Sequence, residues 1–196
     1  DTDSNSGNSY QSVGSSGDWT AVDGNLAYHV YLDCGDNCDD EGCTNDSGDV
    51  NEDGTVNILD IVSLANYILG GSLSDCGMEG ADMNGDGTVN ILDIVAVVNV
   101  ILGGRTDDAT SAEVLKTDDA FLVSANGYIG GIQMTLVHDG DFSINLTDDA
   151  LVAEYLTEGN KTTLVVVVPE NDEIFSYTGD FEITEMIIAN SSSEVT

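Results

Sequence analysis

The chain has 196 residues, 37 acidic and 3 basic, for a formal net charge of −34. That length suits one or two domains, and a surface so acidic excludes nucleic acid and anionic lipid as partners. It also repels itself, so the fold calls for cations; the basic residues Arg105, Lys116 and Lys161 all lie late in the chain.

Residues 1–17 are rich in Ser, Asn and Gly and read as a flexible or glycosylated arm. Residues 19–32 (WTAVDGNLAYHVYL) alternate apolar and polar side chains as a strand does, with Asp23-Gly24 as a turn signal. A loop dense in Asp, Asn and Gly follows over 35–48. It sits among Cys34, Cys38 and Cys43, and Cys76 lies further on. Zinc sites want two close cysteine pairs, and thiolates form poorly among carboxylates, so disulfides are the expectation. If all four pair, Cys76 joins one of the other three and fastens the N-terminal segment to the region around it. Which one is left open. Disulfides point to an exported protein.

The sequence DGTVNILDIV is then written twice, at 53–62 and again at 86–95. Each copy completes an acidic loop that runs into an apolar helix. A calcium loop supplies oxygen ligands at positions 1, 3, 5, 7, 9 and 12. Here those positions hold Asp49, Asn51, Asp53, Thr55, Asn57 and Asp60, then Asp82, Asn84, Asp86, Thr88, Asn90 and Asp93. Thr55 and Thr88 would offer backbone carbonyls, and Asn57 and Asn90 would bind through water. Asp60 and Asp93 stand where the commoner motif has Glu. Gly54 and Gly87 occupy the sixth position, where the chain turns sharply and a Cβ is expected to obstruct it. Two Ca2+ ions are therefore expected. Helices are predicted over 58–69 and 91–102, each stopped by a Gly-Gly pair. Their apolar faces are expected to pack on each other, and no entering helix is expected before either loop.

A loop-then-helix calcium motif, duplicated at this spacing without entering helices, resembles a dockerin. The resemblance covers 49–104 and implies an extracellular module that binds two calcium ions and docks onto cohesin modules. Dockerins commonly read their partners at loop positions 10 and 11, often with a Ser/Thr-type pair. Here those positions are Ile58-Leu59 and Ile91-Leu92. Apolar residues there suit a permanent contact or packing onto a neighbouring domain.

From residue 113 the period becomes two. Strands are predicted over 113–117, 121–125, 129–138, 141–146, 150–156, 162–168, 173–178 and 181–189, with turn signals between them. The run TTLVVVV at 162–168 is expected inside a sheet, ended by Pro169. This part looks like a cohesin-type or immunoglobulin-like sandwich. The fold class expected is α+β. A two-helix dockerin-like module (49–104) lies between an N-terminal strand segment (1–48) and an antiparallel β-sandwich (105–196).

Asn45, Asn145, Asn160 and Asn190 begin N-glycosylation sequons. His29 and His138 have no evident nucleophile partner, and no catalytic motif is present, so an enzyme is not expected. The expectation is an extracellular, calcium-stabilised structural or adhesive protein. It would be a fibre subunit joined to other copies by strand addition or by dockerin–cohesin-like contacts. The alternative is a dockerin-bearing piece of a larger secreted protein that anchors to a separate cohesin scaffold. Neither involves membrane insertion.

Overall fold

The computed structural model describes residues 9–12, 19–22, 43, 47–105 and 107–196. These fall into two compact units, 1–42 and 43–196. In the first, β1 (Ser9–Ser12) and β2 (Trp19–Val22) pair antiparallel with each other, Ser9 opposite Val22. Part of the expected polar arm is thus a strand, paired with Trp19–Val22. The rest of the predicted 19–32 strand, with His29, lies outside the described residues.

The second unit opens with the repeats. Helix α1 (Ile58–Ile68) and helix α3 (Ile91–Leu102) start on asparagine caps. Asn57 Oδ1 accepts from Leu59 N at 2.8 Å, and Asn90 Oδ1 from Leu92 N at 2.8 Å. Asp60 and Asp93 return the bond to Asn57 N and Asn90 N, each at 2.8 Å, closing a capping box. The helices stop where Gly70 (φ 101°) and Gly103 (φ 82°) take left-handed backbone that a side chain would resist. A third helix, α2 (Asp75–Ala81), was not expected. It enters the second loop directly, capped by Ser74, whose Oγ accepts from Gly77 N at 2.9 Å. Its glycines hid it from a propensity reading, yet they are what it needs. A Cβ on Gly77 would stand 2.5 Å from Val50 O, so only glycine lets α2 lie against the first loop.

Cys43 and Cys76 form a disulfide that closes a 33-residue separation. A loop of that size gives about 4 kcal/mol in the chain-entropy account. Cys34 and Cys38 lie outside the described residues.

Eight strands follow, in two four-stranded sheets. One runs β10-β5-β8-β7 and the other β3-β4-β9-β6. In chain order these are β3 (Ala112–Lys116), β4 (Ala120–Ala125), β5 (Gly131–His138), β6 (Ser143–Leu146), β7 (Ala150–Glu158), β8 (Lys161–Pro169), β9 (Glu173–Thr178) and β10 (Phe181–Ala189). The sheets face each other across a core that includes Phe121, Met134, Leu136, Leu164, Phe175 and Ile188. Phe121 and Phe175 stack with centroids 5.0 Å apart. Fully burying such side chains contributes about 1.5–3 kcal/mol each.

Strand β8 explains the joining of the two parts. Leu164 and Val166 point into the sandwich core, while Val165 and Val167 belong to a second core beneath the helices. A strand buried on both faces reads as a continuous apolar run. Helix α3 packs on β5, β8 and β10, and α1 packs on α3 and β7. The helices therefore do not bury their apolar faces on each other alone, as the sequence suggested. Val97, Val98, Ile61 and Leu64 share one buried cluster with Val152, Val165, Val167 and Ala189. Below them the chain is clasped by Asn190, which is buried and donates from Nδ2 to Ala109 O at 2.9 Å. Its Oδ1 accepts from Ser192 N and Ser193 N. Asn190 is thereby withdrawn from the expected glycosylation sites. Asn145 and Asn160 are exposed, and Asn45 lies outside the described residues.

Candidate metal centre and docking face

Each loop is held by its own carboxylates. Asp49 takes Asp53 N (3.1 Å) on Oδ1 and Gly54 N (2.8 Å) on Oδ2. Asp82 takes Asp86 N (3.2 Å) and Gly87 N (2.9 Å) in the same way. Asn51 and Asn84 each accept from the residue two further on, Asp53 N and Asp86 N, at 2.9 and 2.8 Å. Asp53 and Asp86 then accept from Thr55 N and Thr88 N. These bonds curl each backbone into a ring and leave further carboxylate lone pairs for an ion. The closing aspartates are fully buried. Asp60 Oδ1 accepts from Val50 N (3.0 Å) and Asn51 N (3.2 Å), so this shorter side chain ties the start of the loop to the helix that ends it. Asp93 Oδ1 does the same for Asn84 N at 3.2 Å.

The twelve predicted ligand positions therefore form two rings of like construction. Among the described residues no three His, Cys, Asp or Glu side chains converge on one point. Asparagine and main-chain oxygens would have to complete each coordination shell. That donor set is all oxygen, with three carboxylates per loop and no Lys or Arg within either, which fits a hard divalent cation such as Ca2+. The amide nitrogens of Asn57 and Asn90 donate to the carbonyls of Thr55 and Thr88, at 2.9 and 3.4 Å. Gly54 (φ 84°) and Gly87 (φ 86°) are required by their left-handed backbone. The space where a Cβ would go is open, so crowding is not the reason expected from the sequence.

The charge of the second loop acts on its own closing residue. Burial holds the Asp93 carboxyl above its ordinary range, helped by the Asp82 carboxylate. Backbone N–H groups of Asn90, Asn84 and Met83 pull the other way. A bound cation would supply the compensation that this buried carboxylate lacks.

The four partner-contact candidates separate. Ile91 is fully buried against the chain's own sandwich, and Leu92 is half-buried beside the core that the helices share with it. A Cβ on Gly131 would sit 2.5 Å from Ile91 Cδ1, and one on Gly130 would sit 2.6 Å from Val95 Cγ1. Gln133 Oε1 accepts from Ile91 N at 3.0 Å. Asn99 Nδ2 donates to Ser191 O at 2.7 Å. Ile58 and Leu59 stay 39% and 55% exposed. Sequence reasoning offered all four as equivalent because the repeats are identical there. The Gly130-Gly131 pair that distinguishes them lay within the predicted strand 129–138, where nothing local marked what it would face.

Residues 47–112 match the family of the dockerin type I domain. The two repeats are a dockerin type I domain. The match spans about a third of the chain and runs from the first loop to the first residue of β3. Dockerin domains bind Ca2+ and dock onto cohesin modules, and they occur in secreted or cell-surface proteins. No curated protein and no solved structure matches the chain. Among the described residues no helix is long and apolar enough to cross a membrane.

Proposed function

We propose that this chain is an extracellular, calcium-braced docking module in which a β-sandwich is fused to one side of a dockerin. The first repeat is the face that holds a cohesin-type partner. The observation that carries this reading is the unequal fate of two identical sequences: Ile91 is sealed on the sandwich while Ile58 and Leu59 face solvent. Calcium has the role of a brace, with two ions fixing the loops from which α1 and α3 spring. The role is one of binding and not of catalysis. His138, the described histidine, spends its ring nitrogens on Thr162 Oγ1 (2.8 Å) and Asp139 O (2.9 Å), stacked on Phe142.

Calorimetric titration with a type I cohesin module in calcium tests the reading. Saturable binding is expected, abolished by chelator and by Ile58→Asp with Leu59→Asp. Undiminished binding by that variant, or no binding by the parent chain, would contradict it.

A further inference from the structure

The two loops share every expected ligand but differ at the fourth position, where Glu52 stands in the first and Gly85 in the second. Both take left-handed backbone, at φ 62° and 74°. Glycine is the easier residue there, yet Glu52 shows that the fold accepts a side chain, and a Cβ on Gly85 would meet nothing within 4 Å. The exchange changes the chemistry of the residue before it. Asn51 precedes a nitrogen screened by the Glu52 side chain, whereas Asn84 precedes a bare glycine N–H that can approach its amide carbon closely. In that reaction Gly85 N bonds to Asn84 Cγ, a cyclic imide forms, and the amide leaves as ammonia with the Gly85 proton. Water then opens the ring at one of its two carbonyls, leaving aspartate or isoaspartate at position 84. Asparagine is a thermolabile residue for this reason.

The closed loop occupies both reacting groups. Gly85 N donates to Asp82 Oδ1 at 2.8 Å. The Asn84 amide is tied at both ends to Asp86: Oδ1 accepts from Asp86 N at 2.8 Å, and Nδ2 donates to Asp86 Oδ2 at 2.9 Å. Cyclisation consumes the Gly85 N–H, expels Nδ2 and turns the side chain back on its own backbone, so it belongs to the opened loop. Asn84 and Gly85 are exposed, so water reaches them. We propose that Asn84-Gly85 is a self-modification site gated by calcium. An ion drawing on Asp82, Asn84 and Asp86 holds the loop shut, and its loss releases Asn84 to deamidation, which disarms the second loop permanently. Isoaspartate would lengthen the main chain inside the ring and misplace the ligands that follow. Helix α3 springs from this loop and is seated on the sandwich, where Gly131 leaves room for Ile91, so the damage reaches the joint between the two parts.

The chain carries its own controls. Asn51 sits in the sister loop, and Asn126-Gly127 is the other Asn-Gly pair of the sequence. The Asn126 amide is held within the sandwich by Thr110 N, Ser111 N and Thr110 Oγ1. Protein is incubated below its melting temperature in calcium or in chelator, and its peptides are read by mass spectrometry. Calcium at about a hundred times its Kd lowers the opened fraction about a hundredfold, and deamidation at position 84 should slow by that factor relative to chelator. In chelator, Asn51 and Asn126 should lag behind Asn84. Gly85→Glu, which copies the first loop, should remove the fast reaction and leave the helical circular-dichroism signal unchanged. The parent chain aged in chelator should then bind one calcium ion fewer than the fresh chain, while Gly85→Glu aged alike keeps its full complement. Equal rates at Asn84 with and without calcium would overturn the proposal. So would Asn126 keeping pace with Asn84, because the gate would then be unfolding of the whole chain. An aged chain that binds calcium as the fresh one does would overturn the disarming. The proposal rests on calcium binding by the second loop and not on docking, so a chain that ignores cohesin can still pass.

Discussion

Asp60 shows how much one side chain can do in this fold. It caps α1 through Asn57 N and closes the loop through Val50 N and Asn51 N, all while fully buried. Replacing it leaves one buried donor, Val50 N, and two half-buried ones, Asn51 N and Asn57 N, without that partner, and an unsatisfied buried donor costs about 1–3 kcal/mol. Asp60→Ala should therefore lower stability by about 3 kcal/mol or more even in chelator, read from urea midpoints; an effect confined to calcium-loaded protein would contradict the structural role. Asp93 adds a pH dependence. Its folded pKa lies above the ordinary value of 3.8. The stability linked to its protonated form is full below that value and is lost as pH rises through the folded pKa. In chelator, the stability of the parent chain relative to Asp93→Asn should fall across that window, and calcium should oppose the fall. A difference flat with pH would refute it.

At the scale of elements, the two acidic loops and the helices that follow them were legible because local chemistry dictates them. Asx bonds, capping boxes and Gly-Gly stops act within a few residues. Eight strands were likewise readable from period-two patterning, and the TTLVVVV run lies in β8 between β5 and β7 as its apolar faces required. What was not legible is long-range. Helix α2 depends on Gly77 meeting Val50 O, 27 residues back in the chain. The split between Ile58 and Ile91 depends on Gly130 and Gly131, far along the sequence. Those glycines give the sharpest test of the seat. Gly131→Ala forces Ile91 off its place and should cost about 1–3 kcal/mol by overpacking. Gly140→Ala, where a Cβ meets nothing, should cost far less. Equal effects would mean that the seat is loose.

For the whole molecule, the two apolar cores share strands. Losing the dockerin would bare Val165 and Val167, which no free sandwich would hide. Calcium bound to the repeats is then stability for the sandwich as well. Each ion at a thousandfold its Kd contributes about 4 kcal/mol. Chelation should lower the melting temperature of helix and sheet signals together in one transition. Helices melting while the sandwich transition stays in place would show two independent bodies.

The central claim is that identical repeats have unequal faces, one spent inside the chain and one offered outward. It is tested most directly by thiol labelling of two single variants in calcium, Ile58→Cys and Ile91→Cys, above the background of the parent chain. The account predicts rapid labelling at position 58 and strong protection at position 91, lost on unfolding. Equal rates at the two positions would contradict it.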